Sequence, residues 1–304
     1  MDVEKLLRQR AEVVDAELSR LALEIKPREL GKAVAYALST RGKRIRPAIV
    51  TLACESVGGR VEDACSAAAS IELLHSSSLI LDDVIDRSEK RRGMDTLHKV
   101  WGRDLALLTI EILVALSLKV VERHPRLVRA ISNSLFWMGE GEAMELVDFA
   151  RDRETYLELA FRKTGSLFGS AAEAGSIVGG GSESEIHHLT CFGQRLGIAF
   201  QIRDDILDCI SKEEDLGKPV RQDLFMGRPS IVILDALNNN IPLERMMRCN
   251  NGELMDLVSD SISNAEEEAH RQIEAAKAHL DVLSNSRAKT ALKELCNYVI
   301  QRTR

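Results

Sequence analysis

Apolar positions recur along this chain at helical spacing. Val3, Leu6, Leu7, Val13, Val14, Leu18, Leu21 and Leu23 fall largely on one side of a helix over residues 3–23, and Pro27 ends it. A second helix is expected over 29–38 and another from near Arg46. Residues 62–87 read as one long helix, 100–121 and 125–150 as two more parted by His124-Pro125, and 153–178 as a further one. Gly179-Gly180-Gly181 forms a loop, and the next helix starts near Ser184. Residues 229–304 continue as helices joined by polar loops such as Asn238-Asn239-Asn240. The expected fold is all-α, with no domain boundary between residues 1 and 304.

Two interruptions of the apolar pattern stand out. Within Leu79-Ile80-Leu81-Asp82-Asp83-Val84-Ile85-Asp86, three carboxylates sit at spacings of three and four, on one helical face. Like charges so placed repel unless a cation lies among them. The pattern returns about 120 positions later as Asp204-Asp205-Ile206-Leu207-Asp208, behind Phe200-Gln201-Ile202-Arg203. A single copy is also what a solvated acidic face would give. Two copies set among apolar residues favour a pair of helices facing across a cavity, holding a hard divalent cation such as Mg²⁺ and, through it, a polyanion.

Cations cluster as well. Arg41-Gly42-Lys43-Arg44-Ile45-Arg46-Pro47 is a basic turn ahead of a helix, either a solubilising loop or an anion site. His75 lies seven residues before Asp82, about two turns back on nearly the same face. Lys90-Arg91-Arg92-Gly93 follows the first acidic motif, where charge balance alone could account for it.

Composition narrows the class. The chain has 304 residues, 45% of them hydrophobic but only 4% aromatic, which supports a helical core. A net charge of −6 points away from nucleic acid. Cys54, Cys65, Cys191, Cys209, Cys249 and Cys296 form no Cys-x-x-Cys pair and read as reduced thiols of a cytoplasmic protein. The most hydrophobic run, Leu105 to Val121, carries Glu111 and Lys119 and is expected as a buried core helix, with no stable membrane insertion.

The two Asp-Asp-x-x-Asp motifs, the Arg-Arg-Gly that follows the first at a fixed interval, and the Gly-Lys-x-x-Arg-Pro turn together resemble the trans-isoprenyl diphosphate synthases, or polyprenyl synthases. The resemblance covers about residues 35–235 with specific motifs. It implies a single domain of the isoprenoid synthase fold, a helical bundle around a central cavity, and a homodimer. It also implies Mg²⁺-dependent condensation of isopentenyl diphosphate with an allylic diphosphate (dimethylallyl, geranyl or farnesyl). Asp82, Asp83, Asp86, Asp204, Asp205 and Asp208 would hold the metal. Gly42, Lys43, Arg46, His75 and Arg92 would bind isopentenyl diphosphate. Arg91, Lys163 with Thr164, Gln201, Lys218 and Arg228 would serve the allylic diphosphate and its departure. Residues 212–228 would form a lid.

Within that reading, chain length follows from the depth below the first motif. On a helix, Ser78 and Ser77 lie about 6–8 Å before Asp82, Leu74 about 12 Å and Ile71 about 16 Å. The family's short-chain members carry aromatic rings four and five residues upstream, where this chain has Ser78 and Ser77. The expected product is therefore geranylgeranyl diphosphate or longer, with Leu74, Ile71 and residues of the 105–115 helix as stops. Ile110-Glu111, Arg221, Arg228, Ser230 and Val232 depart from the family's usual residues.

Overall fold

Helix follows helix from Val3, as the periodicity predicts. The computed structural model describes residues 2–40, 42–147, 150–210, 224–225, 227–228 and 230–302. The expected lid and Lys218 thus lie outside the described residues, apart from Leu224, Phe225, Gly227 and Arg228.

Helix α1 (Val3–Leu23) is capped by Asp2, whose carboxylate accepts from the Lys5 amide, and it buries Leu7, Val14, Leu18 and Leu21. Helices α2 (Arg28–Ser39) and α3 (Ile45–Ser56) flank the basic turn. The expected 62–87 helix is shorter: a 3₁₀ turn covers Val61–Ala64, and α4 runs over Cys65–Ile85. Asp86 is therefore the residue that ends α4, and its amide donates to the Asp82 carbonyl at 2.8 Å.

After α4 comes a feature the periodicity did not announce. Lys90–Arg91 (β1) and Met94–Asp95 (β2) pair antiparallel, joined by Arg92 at φ 51° and Gly93 at φ 78°. Two positive φ angles are what a tight two-residue hairpin demands. The expected 100–121 helix is divided: Gly102, at φ 81°, separates α5 (Leu97–Trp101) from α6 (Arg103–Lys119). Helix α7 spans Pro125–Leu146 and starts on proline, whose missing amide costs nothing at that position.

Helices α8 (Arg153–Ala160) and α9 (Ser166–Val178) are continuous in direction but joined by a π-helical turn over Phe161–Gly165. Helix α10 (Glu183–Ile210) has 28 residues, about 42 Å at 1.5 Å per residue. It packs on α9 and on α14 (Ser259–His279), which follows the short helices α11 (Ile231–Asn238), α12 (Leu243–Arg248) and α13 (Asn251–Leu257). Helix α15 (Arg287–Gln301) lies against α3 and α10.

The core contains Ile49, Ile71, Leu73, Leu74, Leu113, Phe168 and Phe192, all within 1% of full burial. The expectation of a buried 105–121 helix is corrected here. Helix α6 buries Ala106, Thr109, Leu113 and Ser117 but leaves Leu107 and Leu108 44% and 50% exposed. Among the described residues, the stretch long and apolar enough to cross a membrane is instead Val61–Ile85, and most of it is buried among the other helices. Among the described residues none of the six cysteines is joined in a disulfide.

Candidate active site

Both acidic motifs open into one cavity of about 1160 Å³. That exceeds the usual range for one small ligand, roughly 300–1,000 Å³, and leaves room for two. Helix α4 contributes Asp82, Asp83 and Asp86, and α10 contributes Gln201, Asp204, Asp205 and Asp208. The basic turn brings Gly42, Lys43 and Arg46, and the hairpin brings Arg91 and Arg92. Lys163, Thr164 and Arg228 line it too, as do Arg44, Glu72, His75, Glu142, Glu145 and Arg302.

The cations near the first motif are held by carboxylates. Arg91 donates to Asp83 at 2.8 Å, and Arg228 pairs with Asp86. The Lys163 ammonium lies 2.5 Å from Glu145 and 3.1 Å from Glu142. Burial alone would lower the Lys163 pKa, but Glu145, Asp82 and Glu142 together raise it above the ordinary lysine value. Lys163 and Thr164 sit in the π-helical turn, where an extra residue re-aims side chains. Gly141 of α7 permits this approach: a Cβ there would stand 2.7 Å from the Lys163 amide nitrogen.

At the second motif Asp204 and Asp205 differ. Asp204 accepts from Arg302 at 2.6 Å, and the Arg302 guanidinium stacks 3.7 Å over the Phe200 ring. Asp205 is 4% exposed; its Oδ1 accepts from Gln201 at 2.9 Å, its Oδ2 from the Tyr156 hydroxyl at 2.7 Å and the Ile231 amide at 3.1 Å. Gln201 in turn accepts from the Thr164 hydroxyl at 2.6 Å. Despite these donors, burial pushes the Asp205 carboxyl up to about 7.

The corner formed by the basic turn is arranged differently. Arg46 donates to His75 Nε2 at 3.1 Å and lies 4.6 Å over the Phe168 ring. Burial, then Arg46, Arg92, Arg91 and Arg44, hold His75 well below the usual histidine range, so it is neutral and can accept. Burial also brings Arg46 down to about 10. Arg92 donates to the Thr40 carbonyl at 3.3 Å. Gly42 lies so close that a Cβ would meet the Arg92 guanidinium at 2.4 Å.

Beneath the polar groups the lining turns apolar, through Leu74, Ile110, Val114, Leu135 and Met138, with Ser77 and Ser78 above them. Ile71 does not reach this lining. At its level α4 and α6 touch: the Ser70 hydroxyl donates to the Ser117 carbonyl at 2.5 Å. Two small residues let the helices close, so Ile71 is core and the cavity ends nearer Leu74.

Whether these residues suit Mg²⁺ is decided by the donor set. Among the described residues no three acidic, histidine or cysteine side chains converge as a ready-made cage. The expected six-carboxylate set thus lines one cavity without being gathered at one point, and Asp205 is the member most committed to other partners. Such a lining fits a hard cation that completes its shell with water and phosphate oxygens. Burial holds the Asp83 and Glu142 carboxyls above their ordinary values, and a bound cation would relieve that strain.

Sequence reasoning gave no role to Arg44, Glu72, Glu142, Glu145, Tyr156 and Arg302. No local spacing ties Arg302 to Asp204.

With this geometry in view, comparison with known proteins is direct. A family model described as polyprenyl synthetase matches residues 27–250. The chain is 34% identical to a short chain isoprenyl diphosphate synthase of Methanothermobacter thermautotrophicus, covering 99% of each. Its fold is similar to the crystal structure of a geranylgeranyl pyrophosphate synthetase from Pyrococcus horikoshii, with TM-score 0.90, 32% identity and coverage of 99% and 98%. A polyprenyl synthase from Caulobacter crescentus, crystallised with calcium and isoprenyl diphosphate, gives TM-score 0.89 at 26% identity, covering 100% of this chain and 98% of its own. The chain belongs to the polyprenyl synthetase family.

Proposed function

We propose that the protein is a trans-prenyltransferase that adds isopentenyl diphosphate to an allylic diphosphate and releases geranylgeranyl diphosphate or a longer all-trans product. The observation that carries this is the single cavity. It joins two acidic motifs, two separate groups of cations and an apolar depth, which matches two diphosphates and one hydrocarbon tail.

Arg91, Lys163 and Arg228 bind the allylic diphosphate and neutralise charge as it leaves. Asp82, Asp83, Asp86, Asp204, Asp205 and Asp208 would hold Mg²⁺, which would supply Lewis-acid stabilisation of that leaving group. Lys218 adds a further cation by family resemblance. Gln201 and Thr164 keep the second motif aligned through their hydrogen bonds to each other and to Asp205. Lys43, Arg46 and Arg92, with neutral His75 orienting Arg46, hold isopentenyl diphosphate so that its double bond meets the allylic carbon. The apolar walls keep water from the cation. The last proton passes to the departed diphosphate.

The growing tail runs past Ser78 and Ser77 towards Leu74, Ile110 and Val114. Closure at that level favours the shorter end of the expected range. The protein works as a homodimer, for which Leu107 and Leu108 on α6 and Phe136 on α7, 64% exposed, offer apolar surface.

The test is incubation with labelled isopentenyl diphosphate, Mg²⁺ and each allylic starter in turn, followed by sizing of the prenyl alcohols. Twenty-carbon or longer products support the reading; no elongation of any starter overturns it.

A further inference from the structure

Arg44 lines the cavity wall beside Lys43 and Arg46, but its guanidinium is taken up by acceptors of the protein itself. It is 7% exposed and adopts φ 49°, the left-handed region that side chains other than glycine rarely enter. Three acceptors on three elements hold it there. Its guanidinium pairs with Glu72 of α4, donates to Asp15 of α1 at 3.0 Å and to the Leu38 carbonyl of α2 at 2.8 Å. A planar fork with several donors suits this task, and a lysine could not reach all three at once.

Glu72 is the buried end of the assembly, at 3% exposure. It lies one turn before His75 on α4, and His75 accepts from Arg46. Lys43 precedes Arg44 directly and Arg46 follows two residues on. One ion pair therefore ties the turn that carries two binding cations to the helix that carries the third group of that corner.

Its charge matters as well as its grip. Arg46 and Arg92 are close enough to Glu72 that its carboxylate favours their protonated forms against the pull of burial. Arg46 donates to a neutral histidine and Arg92 to a carbonyl, so each keeps donors for a diphosphate. Arg91, Lys163 and Arg228 are, by contrast, engaged directly by carboxylates. Glu72 stands in the wall of this corner, paired with Arg44, and offsets its positive charge while Arg46 and Arg92 keep their donors.

We infer that Glu72, acting through Arg44, is a positioning residue for the isopentenyl diphosphate half of the site, and that it has no part in binding the allylic partner. This rests on the prenyltransferase reading above.

Glu72→Gln keeps the shape and removes the charge. The KM for isopentenyl diphosphate should rise about tenfold, the effect of losing one charge-assisted contact. The KM for geranyl diphosphate should stay within about twofold. Calorimetric binding of isopentenyl diphosphate should weaken by the same factor. Equal rises in both KM values, or none, would reduce the pair to a brace and overturn the proposal. If Glu72→Gln does not fold, Asp15→Asn decides. It loosens Arg44 from the outer, half-exposed side and should give a smaller rise, about threefold, again confined to isopentenyl diphosphate; a parallel or absent change counts against the proposal. Failure of the prenyltransferase reading would show separately, as an unsubstituted protein that extends no starter.

Discussion

Arg46 donates a hydrogen bond to His75 Nε2 across 3.1 Å, and the histidine can accept it only while neutral. Burial and four neighbouring arginines keep it so.

The consequence is a definite pH signature. Unfolded His75 titrates near 6.5, whereas the native ring resists protonation well below that. The unfolded chain therefore binds the extra proton as pH falls. The contribution is fully present above about pH 6.5 and is lost below it. Between pH 7.5 and 5.5 this one group should cost on the order of 1 kcal/mol of stability. Urea unfolding at both pH values should show that loss in the unsubstituted protein and its absence in His75→Gln. Equal losses in both would mean that native His75 titrates normally.

Ser77 lines the cavity between the first acidic motif and Leu74. It is 3% exposed, and its hydroxyl donates to the Leu74 carbonyl at 2.7 Å, leaving only a small side chain on the lining. Ser77→Phe should place a ring there and shorten the product by at least one five-carbon unit. Chromatography of the dephosphorylated products reads this directly. An unchanged product length would remove the α4 account of size control.

Tyr156 and Asp205 are predicted to matter for stability beyond any effect on metal. The Tyr156 hydroxyl is one of three donors to a carboxylate buried to 4% exposure. Tyr156→Phe should destabilise by about 1–2 kcal/mol, the cost of leaving a buried charged acceptor one donor short. Asp204→Asn, at a half-exposed position, should change stability little and the Mg²⁺ requirement more. Thermal unfolding and Mg²⁺ titration of activity separate the two. Equal stability for Tyr156→Phe and the parent would contradict the structural role of Asp205.

Phe136 provides the check on assembly. It is 64% exposed, so Phe136→Asp should leave the fold intact while weakening a dimer formed through α6 and α7. Light scattering should show the mass falling towards 33.7 kDa. A parent already at that mass, or a substituted protein still at twice it, would exclude this face.

Much of the site could be read from the chain because its signals are local. The acidic motifs, the Arg-Arg pair and the basic turn each depend on spacings of a few residues, and all of them line the cavity. What escaped depends on contacts between distant segments. Arg302 reaches Asp204 from 98 positions away, and Glu72 looks like an ordinary polar residue in an apolar helix until Arg44 is placed beside it. Ile71 was misjudged for a related reason. Helical phase relates it to Asp82, but Ile71 is fully buried in the core at the level where α4 touches α6. The hairpin over Lys90–Asp95 and the π-helical turn are too short to leave a periodic trace.

The contact between Ser70 and Ser117 has an evolutionary side. Two small residues on adjacent helices hold α4 and α6 together at the level of the buried Ile71, below the lining residue Leu74. Bulkier residues at either position would wedge the helices apart and deepen the shaft; a ring one turn higher would make it shallower. Diversification of product size on this scaffold thus requires changes at a few sites in one layer, while the ionising machinery above is left untouched.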